Sequence, residues 1–201
     1  TKQGRVETTN YRTVRLPEAQ EIPLYVKDKF GDFYRAMFTQ QVKRESERGV
    51  FLEYAWDMNW CDPCAANPLS AEELRSLGVF WQNSPSLKRG QGSMPQAQNV
   101  FLTRLHVRYD ATHFPEDLMF QETSDRNNFQ ARYILRHPWT GTDACPAATT
   151  YRQQLRERYE REAQTLANLT GWNISEIRHA MSLASLPGNE DKKWYQRIWA
   201  N

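Results

Sequence analysis

The sequence holds no stretch of the roughly 18 or more consecutive apolar residues that a membrane-crossing helix requires. An excess of one charge is also lacking. Lys and Arg number 26 against 24 Asp and Glu, for a formal net charge of +2. Dedicated nucleic-acid binders concentrate positive charge, so nucleic acid is set aside as a partner. There is no Gly-rich phosphate loop, no Ser-His-Asp order, no His-Glu-x-x-His and no EF-hand loop. With those motifs go the nucleotide-binding, serine-hydrolase, zincin and calcium-loop readings, and no cofactor is called for. Met does not open the chain; Thr1 does, with no secretory leader before it. A processed product of an exported precursor is therefore expected. An N-terminal Thr is the nucleophile of proteasome-like hydrolases, but no strand pattern begins at Thr1, and an incidental start is the preferred reading.

What is present is a globular composition, with 39% hydrophobic and 12% aromatic residues in 201. A chain of that size buries about 70% of its unfolded surface, enough for a core of its own. Residues 1–24 are polar, with Pro17 and Pro23, and read as an extended arm or linker remnant. From Phe30 the apolar positions Phe33, Tyr34, Met37, Phe38 and Val42 recur at helical spacing, and Gly49 ends the segment. Val50–Trp56 is a run of β-favouring apolar residues, a buried central strand. Ser70 and Glu73 form a capping box for a short helix that stops at Gly78. Residues 83–98 have almost no apolar content and read as a flexible surface loop.

Residues 100–109 alternate, with Phe101, Leu105, Val107 and Tyr109 opposite Arg104, His106 and Arg108. Leu118–Glu122 and Phe129–Arg136 flank the polar stretch 124–128, which predicts a hairpin. Residues 147–169 form a long amphipathic helix closed by Gly171, and Asn173 with Glu176 opens another that runs to Leu186. The expected architecture is α+β: a single domain over 25–186, with a small, mostly antiparallel sheet, helices on one face and a disulfide staple. Residues 187–201 are left as an aromatic tail, in which Trp194, Tyr195 and Trp199 are candidates for partner contact.

Three cysteines, Cys61, Cys64 and Cys145, carry the sharpest chemical signal. Trp60-Cys61-Asp62-Pro63-Cys64 follows a hydrophobic strand and resembles the W-C-x-P-C active site of thioredoxin-like proteins. There a thiolate attacks and a second cysteine resolves the mixed disulfide. Pro68 and the short gap from Tyr109 to Pro115 depart from that fold. In an oxidising compartment at least one disulfide is expected. Cys61–Cys64 would close a tight, strained ring. A bond to Cys145 would close a loop of about 80 residues, worth roughly 4 kcal/mol by loop-closure entropy. Cys64–Cys145 is thus the preferred bond, with Cys61 as the other possible partner of Cys145, and Cys61/Cys64 as a redox pair is the alternative.

His106 and His113 with Cys61 and Cys64 are the one possible zinc set, but no second paired-ligand motif accompanies them and no metal is expected. If 100–109 and 129–136 are neighbouring strands, Arg104, Arg108, Arg132 and Arg136 line one face and suit a phosphate or acidic glycan. The competing reading is a solvated face paired with carboxylates. Glu53 and Asp57 lie in an apolar strand, where a buried carboxylate needs a partner; an arginine is expected for it rather than acid–base work.

The runs VFLEYAWDMNWCDPC (50–64), LHVRYDATHFPEDLMFQ (105–121) and NFQARYILRHPWTG (128–141), with the helix YRAMFTQQVKRE (34–45), resemble the C-terminal part of an uncharacterised exported bacterial family, domain-of-unknown-function family 2330. The resemblance covers roughly residues 24–180. It implies a precursor with a signal peptide and a further N-terminal half, hence a periplasmic or extracellular location. It implies no activity, and no catalytic residue is carried over. The function expected on these grounds is a non-enzymatic envelope domain that binds another protein or its own N-terminal half. A thiol-disulfide oxidoreductase and an anion or acidic-glycan binder are the alternatives.

Overall fold

A computed structural model describes residues 1–59, 69–81 and 99–181. Its elements are helices and small sheets, an α+β arrangement. The chain divides into two compact units, one of residues 1–16 and 47–131, the other of residues 17–46 and 132–201. The stretch 1–24, read from sequence as an arm, instead contributes three strands: β1 (Val6–Thr8), β2 (Thr13–Arg15) and β3 (Gln20–Glu21).

In the first unit the organising element is β4 (Val50–Asp57), whose Val50, Phe51, Leu52 and Ala55 are all buried. The continuous apolar run called for such burial, since a strand covered on both faces has no reason to alternate. On one edge β4 pairs antiparallel with β5 (Phe101–His106). The other edge is shared. β2 runs parallel to Val50–Leu52, and further along β7 (Phe129–Gln130) pairs antiparallel with Tyr54 and Ala55. Leu52, Ala55, Phe101 and Phe129 form the core across this sheet. A second cluster of Met58, Leu74, Val79 and Val100 sits under α2 (Ala71–Ser76). The Ser70 hydroxyl accepts from the Glu73 amide, and the Glu73 carboxylate accepts from the Ser70 amide at 2.7 Å, the reciprocal cap the sequence called for. Gly78 follows with φ +87°.

The expected hairpin across 118–136 does not form. β6 (Phe120–Glu122) pairs antiparallel with β1, β7 completes the edge of β4, and β8 (Tyr133–Ile134) pairs parallel with β3 in the second unit. The intervening turn is held from outside. Arg5 approaches the Asp125 carboxylate at 2.8 Å, and the Thr123 amide donates to the Arg5 carbonyl at 2.9 Å. Those contacts with the N-terminal segment replace the short-range pairing that alternation alone suggests.

In the second unit α1 (Phe30–Arg44) buries Phe33, Met37, Phe38 and Val42, while Phe30 stays exposed at its start. α3 (Pro146–Thr170) buries Leu155, Tyr159, Ala163, Leu166 and Leu169. Gly171 ends it with φ +73°, a left-handed residue as a helix C-terminus favours. Asn173 caps α4 (Ile174–Ala180), its side chain accepting from the Ser175 amide at 2.8 Å.

The disulfide staple is corrected. Cys145, the residue before α3, carries a free and exposed thiol, so neither Cys64 nor Cys61 is bonded to it. Cys61 and Cys64 themselves lie outside the described residues, as do the 83–98 loop and Trp194, Tyr195 and Trp199.

Candidate functional site

The segment from Tyr109 to Glu122 joins β5 to β6 and gathers the polar groups that the packing of the first unit leaves outside. It is anchored by Phe114, which is buried with its ring centroid 4.8 Å from that of Tyr11 and 5.3 Å from that of Tyr109. The Phe114 amide donates to the Asp110 carbonyl at 2.9 Å, which closes one helical turn over 110–114. Asp110 acts as the cap of that turn. Its Oδ1 accepts from the amides of Thr112 and His113, both at 2.9 Å. Those bonds, the backbone bond from His113 foremost, hold the Asp110 carboxyl below the usual carboxylate range.

The same carboxylate grips the ring of His113. Nδ1 lies 2.9 Å from Oδ1 and 2.8 Å from Oδ2. Nε2, on the far side of the ring, faces the Glu47 carboxylate at 3.5 Å. Glu47 is presented by a constrained backbone, since both Ser46 (φ +52°) and Glu47 (φ +62°) adopt the left-handed region without being glycine. Ligand atoms of Glu47, Asp110 and His113 all lie within 4.8 Å of one another. Sequence reasoning singled out His113 but matched it to His106 and the cysteines. Asp110-x-x-His113 was the visible half of the real cluster; Glu47 is over sixty residues away, and no local pattern points to it.

His106 belongs elsewhere. It lies on β5 opposite Phe51, beside the register shift at Glu53 between Leu52 and Tyr54. The Glu53 carboxylate is 3.2 Å from Arg104 Nε and 4.0 Å from His106 Nδ1. Burial lowers the His106 pKa; Glu53 opposes that shift, and Arg104 and Arg108 add to it. The expectation that carboxylates of the central strand find arginines is met, by Glu53 with Arg104 and by Asp57 with Arg126.

The four arginines of the proposed anion face are not carried by neighbouring strands. β5 and β7 lie on opposite edges of β4, because Tyr54 and Ala55 pair with both. Arg104 and Arg108 belong to the first unit, Arg132 and Arg136 to the second. Arg104 is engaged by Glu53, and Arg136 by Glu21 at 2.7 Å.

In the second unit two open clefts, of about 440 and 360 Å³, share Asp32 and Trp172 as walls. Their size suits small ligands. The charges lining the larger one neutralise each other in part, since Arg35 and Asp32 pair at 2.5 Å.

The far end of the Tyr109–Glu122 segment is apolar and exposed. Met119 is 60% and Phe120 56% accessible. Phe120 begins β6, all of whose residues are exposed. Among the described residues β6 pairs with β1 alone, and no other described strand lies on its second edge.

A family model described as an uncharacterized protein conserved in bacteria (DUF2330) matches residues 1–121. The chain belongs to this family. The DUF2330 match thus takes in β1 to β5, the first two residues of β6 and the 109–119 segment, the His113 cluster and Phe120 included. Comparisons with curated proteins and with solved structures find no match. No helix among the described residues is long and apolar enough to cross a membrane.

Proposed function

We propose that this DUF2330 chain is a non-enzymatic interaction module of the bacterial envelope, and that it docks an extended segment of another protein along the open edge of β6. The observation that carries the reading is Met119-Phe120 at that edge. Two large apolar side chains stand exposed beside a strand edge that no second strand among the described residues pairs with, the combination through which an added strand gains both hydrogen bonds and side-chain contact. Soluble proteins ordinarily blunt such an edge with charge or proline. The envelope location rests on the exported character that the family resemblance implies.

A photo-reactive phenylalanine analogue placed at position 120, in the bacterial host, tests this. The expected outcome is a discrete protein adduct from position 120 and none from position 157, an exposed site on α3. The identity of the adduct separates a foreign envelope protein from a segment of the same precursor. Equal labelling from both positions, or none from 120, removes the proposal.

A thiol-disulfide activity of Cys61 and Cys64 is the second reading. The free Cys145 favours it, because neither cysteine is committed to a long-range bond with it. Insulin reduction by the intact chain, lost in Cys61→Ser, would support that reading; an inactive wild-type chain would end it.

A further inference from the structure

We infer that Glu47, Asp110 and His113 form a binding site for a first-row divalent cation, of which zinc is the representative. The imidazole of His113 has two distinct sides. Its Nδ1 lies 2.8–2.9 Å from both oxygens of Asp110; with the ring proton on Nδ1 and donated to Asp110, the lone pair is left on Nε2, on the far side of the ring. Carboxylates that grip the remote nitrogen of a metal-bound histidine in this way set its tautomer and raise its basicity as a ligand.

Nε2 then faces the Glu47 carboxylate at 3.5 Å. That separation exceeds the usual N–H···O length of about 2.9 Å. It corresponds closely to two ligand atoms placed tetrahedrally about one zinc, where bonds of about 2.0–2.1 Å set neighbouring N and O atoms some 3.3–3.4 Å apart. Glu47 and His113 are thus the direct ligands, with water completing the shell, and Asp110 is the positioning residue. All three side chains are partly open to solvent, His113 at 31%, Asp110 at 43% and Glu47 at 50%, which leaves room for ligand water and a path of entry. Buried Phe114 holds the turn that carries both Asp110 and His113, so that half of the site is formed before the ion arrives.

The site stands apart from the β6 edge in its residues and in its chemistry, and neither proposal depends on the other.

The test is a zinc titration of the intact chain by calorimetry at neutral pH, in the Cys61→Ser/Cys64→Ser/Cys145→Ser background so that thiols, the exposed Cys145 included, do not compete. Heteronuclear NMR of the histidine rings reads the same titration. The expected result is one saturable site, with the His113 ring resonances shifting and those of His106 unchanged. His113→Gln and Glu47→Gln should each weaken binding by at least about 10-fold, and Asp110→Asn by about 10–100-fold, the range for an orienting partner of a metal-bound histidine. Thermal melting of each variant without zinc confirms that the fold survives. No saturable binding overturns the inference. So does zinc binding that His113→Gln leaves intact, because the ion would then sit elsewhere.

Discussion

Arg126, in the turn after β6, donates to the carboxylate of Asp57 at the end of β4, and its guanidinium lies 5.8 Å from the ring centroid of Phe101. Asp57 is 6% accessible and also accepts from the Asn59 amide at 3.1 Å. Burial alone would push its pKa up; the bonds from Arg126 and Asn59 together outweigh that, and the net shift is downward. A carboxylate with a lowered folded-state pKa contributes stability that is complete above its unfolded value, near 4, and is lost as pH falls through the folded one. Asp57→Asn should cost about 2 kcal/mol at pH 7, in the range for hydrogen bonds to charged groups. It should also flatten the acid limb of a urea-midpoint profile below about pH 4. An unchanged acid limb would show that the pair contributes nothing.

Glu162 acts in the opposite direction. It is 2% accessible, and Arg158 is its near cation at 3.2 Å. Burial lifts its pKa to about 7; Arg158, Arg136 and Arg161 pull it down, while Glu21 adds to the rise. The native state therefore keeps a proton that the unfolded chain releases, and stability declines as pH rises from about 4.5 to 7 and levels above that. Glu162→Gln should remove this slope and leave the variant more stable than the parent at pH 8 by on the order of 2–3 kcal/mol. Denaturant midpoints at pH 5 and pH 8 for both chains decide it.

Gly171→Ala should destabilise the second unit by about 1–2 kcal/mol, the cost of a side chain in the left-handed region. The space a Cβ would take there is filled by the Gln40 amide, so the variant must also displace that side chain. The readout is a urea midpoint, with helicity of α3 by circular dichroism as the local probe.

Cys145 should react with Ellman's reagent in the native, non-reduced chain, because its thiol is free and exposed. Cys145→Ser should leave stability within about 0.5 kcal/mol of the parent, as surface substitutions do. A loss of 2–5 kcal/mol with no thiol titre would instead reveal a structural disulfide.

The helices and β4 were legible in the sequence because their signals are local. Ser70 with Glu73, Asn173 with Glu176 and Gly171 mark helix ends by hydrogen bonds that span three or four residues. Strand pairing was not legible in the same way. Alternation says that Phe120 and Phe129 lie in strands, but both sit next to a polar turn, and nothing local says that β1 and β4 will claim them. The His113 cluster divides along the same line: Asp110 and His113 lie within one turn, whereas Glu47 arrives through tertiary structure. The disulfide expectation failed for a related reason. It rested on the entropy of closing a long loop, which rewards a bond only where the folded chain brings the sulfurs together.

The shared edge of β4 separates two boundaries that are easily taken as one. The family match ends at residue 121, short of Phe129 and Gln130, which cover the backbone of Tyr54 and Ala55. Beyond them the Ala131 amide still donates to the Glu53 carbonyl at 3.1 Å. A polypeptide trimmed to the matched length would keep the central strand but strip half of one side, turning buried hydrogen-bonding groups into an adhesive margin prone to aggregation. A portion that keeps this edge of the central strand covered therefore extends at least to Ala131. The matched span and the covered edge of β4 end at different residues in this chain.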